Sequence, residues 1–325
     1  MNQLEMMLHD ADSVVLLGHV HPDGDCVGSC LAAYNYIRNR YKEKEVAVYL
    51  EPASKKLSYL TGFDRICHEM PKDQDRSYDL CICLDSSDRE RLGDFGVLLD
   101  RAKHSICVDH HITNTRYAEE NVVEDKASST CEVLYGLLDE TEITKEVAEC
   151  VYTGLVHDTG VFKFSCTSAK TMAIAGKMME KGIDFGRIID ESFFQKTYLQ
   201  TQIMGRALLE SITFLAGTCI FSVVRKQDMD FYGVDSKDLD GIVDQLRVIE
   251  GIKCAIFLYE TDNHVYKVSM RSNCELDVSR IAAYFGGGGH IRAAGCTMSG
   301  SIHDVINNLS GHIEKQLKNQ ENQDV

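Results

Sequence analysis

His19, Asp23 and Asp25 fall within seven residues of one another in the segment Gly18-His19-Val20-His21-Pro22-Asp23-Gly24-Asp25-Cys26. One imidazole and two carboxylates at that spacing begin a site for a hard or borderline divalent ion. Alone the segment is weak, because Asp and Gly are ordinary turn residues. Three later segments supply the same residue types: Leu84-Asp85-Ser86-Ser87-Asp88, Asp109-His110-His111 and His157-Asp158-Thr159-Gly160. Each by itself reads as a helix cap or a turn acid. Together they do not, because carboxylates crowded on one edge repel and bound cations remove that cost. The set His19, Asp23, Asp25, Asp85, His110 and Asp158 requires no thiolate and suits Mn²⁺ or Mg²⁺ better than structural zinc. Six ligands around two ions fit a two-metal site of the kind used for in-line displacement at phosphorus.

Neighbouring residues read more plainly. His21 and His157 flank ligand positions and are expected in local packing or hydrogen bonding. Cys26 is expected to fill a tight turn. Near the C-terminus, Gly286 to Gly289 run into His290. Glycines without Cβ atoms let backbone N–H groups approach an anion closely.

These residues need elements that bring them to one edge. Residues 13–19, 79–84 and 105–108 read as buried strands, 45–50 as an alternating strand, and 57–66 as a short helix or loop. Helices are expected at 26–39, 129–139, 145–157 and 168–181, apolar at helical spacing. Strands alternating with helices predict a doubly wound, mostly parallel sheet, whose strand ends form the ligand-binding edge. Beyond a linker at 185–200 the pattern changes. Strands at 218–224, 254–260 and 265–270, with helices at 197–212, 236–247, 277–285 and 302–317, predict a smaller α/β domain. The domains are thus expected at 1–184 and 201–318, the active site in the cleft between them, and a disordered tail at 319–325.

The chain has 325 residues, a formal net charge of −16 and 44% hydrophobic residues. Grip on long nucleic acid comes from Lys and Arg, so this balance argues against extended duplex binding and leaves room for short nucleotides. No apolar run approaches a membrane span, and the N-terminus has no basic stretch of a secretory signal. Thirteen cysteines, scattered in apolar runs without C-x-x-C pairs, read as small buried hydrophobes in a reducing cytoplasm.

His19, Asp23 and Asp25, then Asp85, then Asp109-His110-His111, then Asp158, resemble the four-motif signature of the DHH phosphoesterases. Gly286-Gly287-Gly288-Gly289-His290 with Ile291-Arg292-Ala293-Ala294-Gly295 resembles the glycine-rich motif of their DHHA1 domain. The length and the Ala127-Ser128-Ser129-Thr130 segment resemble the nanoRNase/pAp phosphatase branch most. The resemblance implies one Mn²⁺ (Mg²⁺ as the alternative) on His19, Asp23 and Asp85, and a second on Asp25, Asp85, His110 and Asp158. It implies that water activated by both ions is the nucleophile, that Asp85 joins the two ion positions, and that His111 sits beside the substrate phosphate as a stabiliser or proton donor. Asp109 would orient His110. Arg271, Gly287, Gly288, Gly289 and His290 would hold the end of the substrate that is not cut. The implied function is degradation of short oligoribonucleotides to mononucleotides and dephosphorylation of adenosine 3′,5′-bisphosphate (pAp), in the cytoplasm, without membrane contact and compatible with a homodimer. The alternatives are an enzyme of cyclic-dinucleotide turnover acting on pApA, pGpG or c-di-AMP, and a non-catalytic nucleotide-binding module.

Overall fold

The structure, a computed structural model, describes residues 2–73 and 75–321. The chain divides into two compact units at Gln195/Lys196. In the first, β1 (Ser13–Leu17), β2 (Glu45–Tyr49), β3 (Ile66–Cys67), β4 (Leu80–Leu84), β5 (His104–Asp109) and β6 (Glu120–Val123) form one six-stranded sheet in the order β3-β2-β1-β4-β5-β6. Every pairing in it is parallel. Both faces of such a sheet are covered, and alternation along the strands sorts residues between two cores. Leu80, Ile82 and Leu84 of β4 join Ile106 and Val108 of β5 beneath the helices Gly24–Arg40 and Lys145–Asp158. Cys81, Cys83 and Cys107 point the other way, with Val15, Leu17 and Leu98. The cysteines are free thiols, most of them packed as small apolar side chains.

The strand order reverses between β1 and β4. In a doubly wound sheet, that reversal opens a crevice outside the carboxyl ends of the two strands. The chain leaves β1 into Gly18-His19 and leaves β4 into Asp85, so sheet order alone brings the first two motifs together.

The second unit holds another six-stranded sheet, β11-β12-β10-β9-β8-β7, built from β7 (Ile212–Phe214), β8 (Cys219–Val224), β9 (Cys254–Asp262), β10 (Val265–Ser272), β11 (Gly288–His290) and β12 (Ala293–Ser299). Only β8 and β9 run parallel; the other pairs are antiparallel. The helices Val278–Tyr284 and Ile302–Glu321 pack against one face through Ile281, Val305, Leu309 and Ile313.

Several boundaries differ from expectation. The 185–200 segment is not an open linker. Phe185–Ile189 is helical and continues into a wide turn at Asp190–Phe194, with Ile188 and Ser192 buried in the first unit. Helix Tyr198–Leu209 already belongs to the second unit and stops before β7. Helix Thr130–Tyr135 ends early, at Gly136. Residues 319–321 continue the last helix, and 322–325 lie outside the described residues. Among the described residues, no helix is long and apolar enough to cross a membrane.

Candidate metal centre

Asp23 caps helix Gly24–Arg40, its Oδ1 accepting from the backbone N–H of Asp25 at 3.0 Å and of Cys26 at 3.1 Å. That is what an aspartate at such a position does for unpaired first-turn amides. His19 lies behind it. Its Nδ1 is 2.8 Å from the carbonyl of Val20, which can only accept, so Nδ1 carries the hydrogen. Nε2 is therefore the nitrogen left for an ion, and it faces Asp85 Oδ2 at 3.4 Å and Asp23 Oδ1 at 3.7 Å. This second-nitrogen anchoring is the usual arrangement for a ligating histidine.

Asp85 follows β4 with φ +58°, a left-handed backbone that a non-glycine residue adopts at a cost of about 1–3 kcal/mol. Its N–H still reaches Val108 at 3.2 Å, so the ladder holds it in place. The turned carboxylate is 2% exposed and stands at the centre of the site. His110 Nε2 is 3.7 Å and His111 Nδ1 3.6 Å from its Oδ1.

Asp25 is wholly buried. Its oxygens accept from the backbone N–H of Thr130 at 2.6 Å and of Cys131 at 3.0 Å. Gly154 makes room for it: a Cβ there would stand 2.4 Å from Asp25 Oδ1 and 2.3 Å from Cys131 Sγ. Asp158, last residue of helix Lys145–Asp158, meets His110 Nε2 at 3.1 Å.

Thr130 was missed by residue-type reasoning. Besides its amide, its hydroxyl reaches Asp85 Oδ1 at 3.0 Å and Asp109 Oδ1 at 3.4 Å, so one residue touches three of the site's carboxylates. The available signal was the run Ser128-Ser129-Thr130 before Glu132, the pattern of a helix start. Ser129 indeed caps that helix.

Asp109 corrects an expectation. Its Oδ1 is 2.8 Å from His111 Nδ1 and its Oδ2 accepts from Asn114 at 2.6 Å, so it orients His111 and not His110. His21 is exposed and leans on Glu51. His157 packs against Phe193, with its buried Nε2 unpartnered in the structure. Cys26, expected to fill a tight turn rather than to bind an ion, has its Sγ within 4.8 Å of donor atoms of His19 and Asp85.

The electrostatics divide: against the opposing effect of burial, His19 holds the Asp23 carboxyl low and His111 with Asn114 holds Asp109 low, while the groups at the centre are raised. Burial, then Asp85 and Asp158 nearby, push the Asp25 carboxyl well up. Burial likewise lifts Asp158 to about 6. His110 is raised because Asp158, Asp25 and Asp85 outweigh the burial that opposes its charge. His111 is raised by its hydrogen bond to Asp109. Each of these groups favours its protonated form more than it would in water, which marks a pocket short of positive charge. Divalent cations fit that deficit, and the donors fit divalent cations. Asp25, His110 and Asp158 offer atoms within 4.8 Å of one another, as do Asp85, His110 and His111. Donors sharing one ion stand at such distances.

In the second unit, the glycine run is in part a strand. A Cβ on Gly287 would lie 2.1 Å from the carbonyl of Gly295, and one on Gly289 2.5 Å from that of Ala293, so close backbone packing explains two of its glycines. Gly288 is open. Ala293 pairs with Arg271 on one side and His290 on the other. Directly paired residues share a face, so Arg271 and His290 flank a small alanine across three strands, roughly 10 Å apart. Arg271 also meets Asp244 at 3.2 Å.

Residues 13–155 match the DHH family, N-terminal domain, and residues 217–319 the DHHA1 domain. The bifunctional oligoribonuclease and PAP phosphatase NrnA of Thermus thermophilus is 29% identical over 290 residues, 88% of this chain and 84% of its own. Its Bacillus subtilis counterpart is 26% identical over 294 residues, 88% of this chain and 90% of its own. The crystal structure of an exopolyphosphatase-related protein from Bacteroides fragilis superposes with a TM-score of 0.84 at 25% identity, covering 96% of this chain and 94% of that one. With both models matched in order along its length, the chain carries a DHH-family N-terminal domain in its first unit and a DHHA1 domain in its second.

Proposed function

We propose that the chain is a two-metal phosphohydrolase of short nucleotides, which releases mononucleotides from RNA oligomers of a few residues and converts pAp to AMP. One observation carries it: Asp25, Asp85, His110 and Asp158, from four chain segments, meet beside His19 around the strand-order reversal. The activities in the names of the two NrnA relatives support the choice of substrates. The charge of −16 favours short substrates over long ones.

His19, Asp23 and Asp85 would hold one ion, and Asp25, Asp85, His110 and Asp158 the other, Mn²⁺ before Mg²⁺. Such ions acidify water and draw charge from a scissile phosphate. Asp25, locked by two amides, and Asp85, locked by the sheet ladder, keep the donors in place before substrate arrives. His111, with Nδ1 turned to Asp109, has Nε2 left to protonate the leaving oxygen as the P–O bond breaks and the water oxygen bonds phosphorus. In the second unit, Arg271, His290 and the backbone of Gly288 and Gly289 take a terminal phosphate; the Gly287 N–H, expected in the same role, already donates to the Ala282 carbonyl at 2.8 Å.

Purified chain with Mn²⁺ should release phosphate from pAp and mononucleotides from di- to pentanucleotides. Asp85→Ala should lose both activities while still binding nucleotide. Assaying pApA and c-di-AMP beside them ranks the cyclic-dinucleotide alternative. No product from pAp or the oligonucleotides with Mn²⁺, Mg²⁺ or Co²⁺ would sink the reading.

A further inference from the structure

We infer that Cys26 is a ligand of the first ion, so that this position is a mixed nitrogen, sulfur and oxygen site. The inference rests on the two-ion reading above and deepens it. Cys26 Sγ, a ring nitrogen of His19 and a carboxylate oxygen of Asp85 lie within 4.8 Å of one another. All three residues are buried, at 0%, 5% and 2% exposure. His19 has its Nδ1 engaged by Val20, so Nε2 is the nitrogen facing the other two donors.

The sulfur is walled in. A Cβ on Gly18 would stand 2.3 Å from Cys26 Sγ, and the side chains of Leu50 and Cys30 border the same space at 2.8 Å and 3.3 Å from that point. Besides filling that turn, the sulfur lies within 4.8 Å of donor atoms of His19 and Asp85. Asp23, by contrast, has a side chain 57% exposed and an oxygen already accepting two amides. Cys26 is the more enclosed donor of the two.

On binding, the Cys26 S–H bond is exchanged for a sulfur–metal bond and the proton leaves to solvent. A thiolate favours Zn²⁺, Co²⁺ or Fe²⁺ over Mn²⁺ and Mg²⁺. Cys26 thus sets the preference of the first position, while the second, made of carboxylates and one imidazole, keeps the preference of harder ions.

The test is a Co²⁺ titration of the full, chelator-stripped chain, followed by near-ultraviolet thiolate-to-cobalt absorption. The band should grow to one thiolate per chain, vanish in Cys26→Ala and in the size-matched Cys26→Ser, and persist in Cys30→Ala, which removes the neighbouring buried thiol. In competition experiments Cys26→Ser should weaken Zn²⁺ binding roughly tenfold or more, with Mn²⁺ binding nearly unchanged. Stoichiometric Co²⁺ by equilibrium dialysis without the band, or an equal band in Cys26→Ser, overturns the inference and leaves the two-ion reading standing. No stoichiometric Co²⁺ at all overturns both.

Discussion

Asp109 Oδ1 lies 2.8 Å from His111 Nδ1, deep at the end of β5, and Asn114 holds the other oxygen of the same carboxylate at 2.6 Å. The hydrogen bond raises His111 above the ordinary imidazole range. If His111 donates a proton to the leaving oxygen, it works only while protonated. Asp109→Asn should then shift the alkaline limb of the kcat–pH profile to lower pH. His111→Asn should cost about 10²–10⁴ in kcat. An unmoved limb in Asp109→Asn would show that His111 is not the acid.

Thr130 offers a cleaner separation of hydroxyl from amide. Thr130→Val keeps the N–H that Asp25 accepts but removes the hydroxyl that Asp85 and Asp109 accept. Two buried acceptors lose a donor, at a cost of about 1–3 kcal/mol. Ion affinity, measured by calorimetry, should fall roughly 10–100-fold. Thr130→Ser should restore both. Equal behaviour of the two variants would mean that the hydroxyl is idle.

The metal-free protein should weaken as pH rises. Asp25, Asp158, His110 and His111 all have folded pKa values above their unfolded ones. A group raised in the fold gives stability that is full below its unfolded pKa and lost as pH climbs through the folded one. These two carboxyls and two imidazoles therefore act in the same direction, while His157, which burial lowers, acts the other way. Thermal melts of chelated protein should fall between about pH 5 and about pH 9, and adding Mn²⁺ should flatten the slope. A chelated protein whose melting point rises over that range would contradict the pocket's charge deficit.

Gly154→Ala tests the crowding around Asp25. Its methyl would collide with Asp25 Oδ1 and Cys131 Sγ, both in the packed interior. Overpacking of this kind costs about 1–3 kcal/mol, and the shifted carboxylate should also weaken ion binding. Chemical denaturation with and without Mn²⁺ reads the two effects separately. A variant as stable and as tight-binding as the parent would show that the helices part freely.

The parallel core was legible because β1, β4 and β5 are short apolar runs ending in acid or histidine. Residue type and element end together pointed to Asp25, Asp85, His110 and Asp158, which the fold brings near one another. What escaped was carried by geometry that residue type does not encode. β3 has two residues and β6 is half-buried throughout, so neither shows alternation, and β12 opens on Ala293-Ala294-Gly295 before its alternation begins at Cys296. Asp109 was matched to its neighbour His110, yet residues two apart leave a strand on the same side, which is why His111 receives the bond. Thr130 acts in part through its amide, which every residue has. Cys26 Sγ occupies the space Gly18 leaves open.

Asp25 does two jobs at once. Its oxygens pin the start of helix Thr130–Tyr135 to the start of helix Gly24–Arg40. Asp158 meets His110 from the end of its helix with a side chain 20% exposed. An inert but intact chain, suited to trapping substrate for crystallography, should therefore be made by changing Asp158. Removing Asp25 would silence the chain by loosening its architecture.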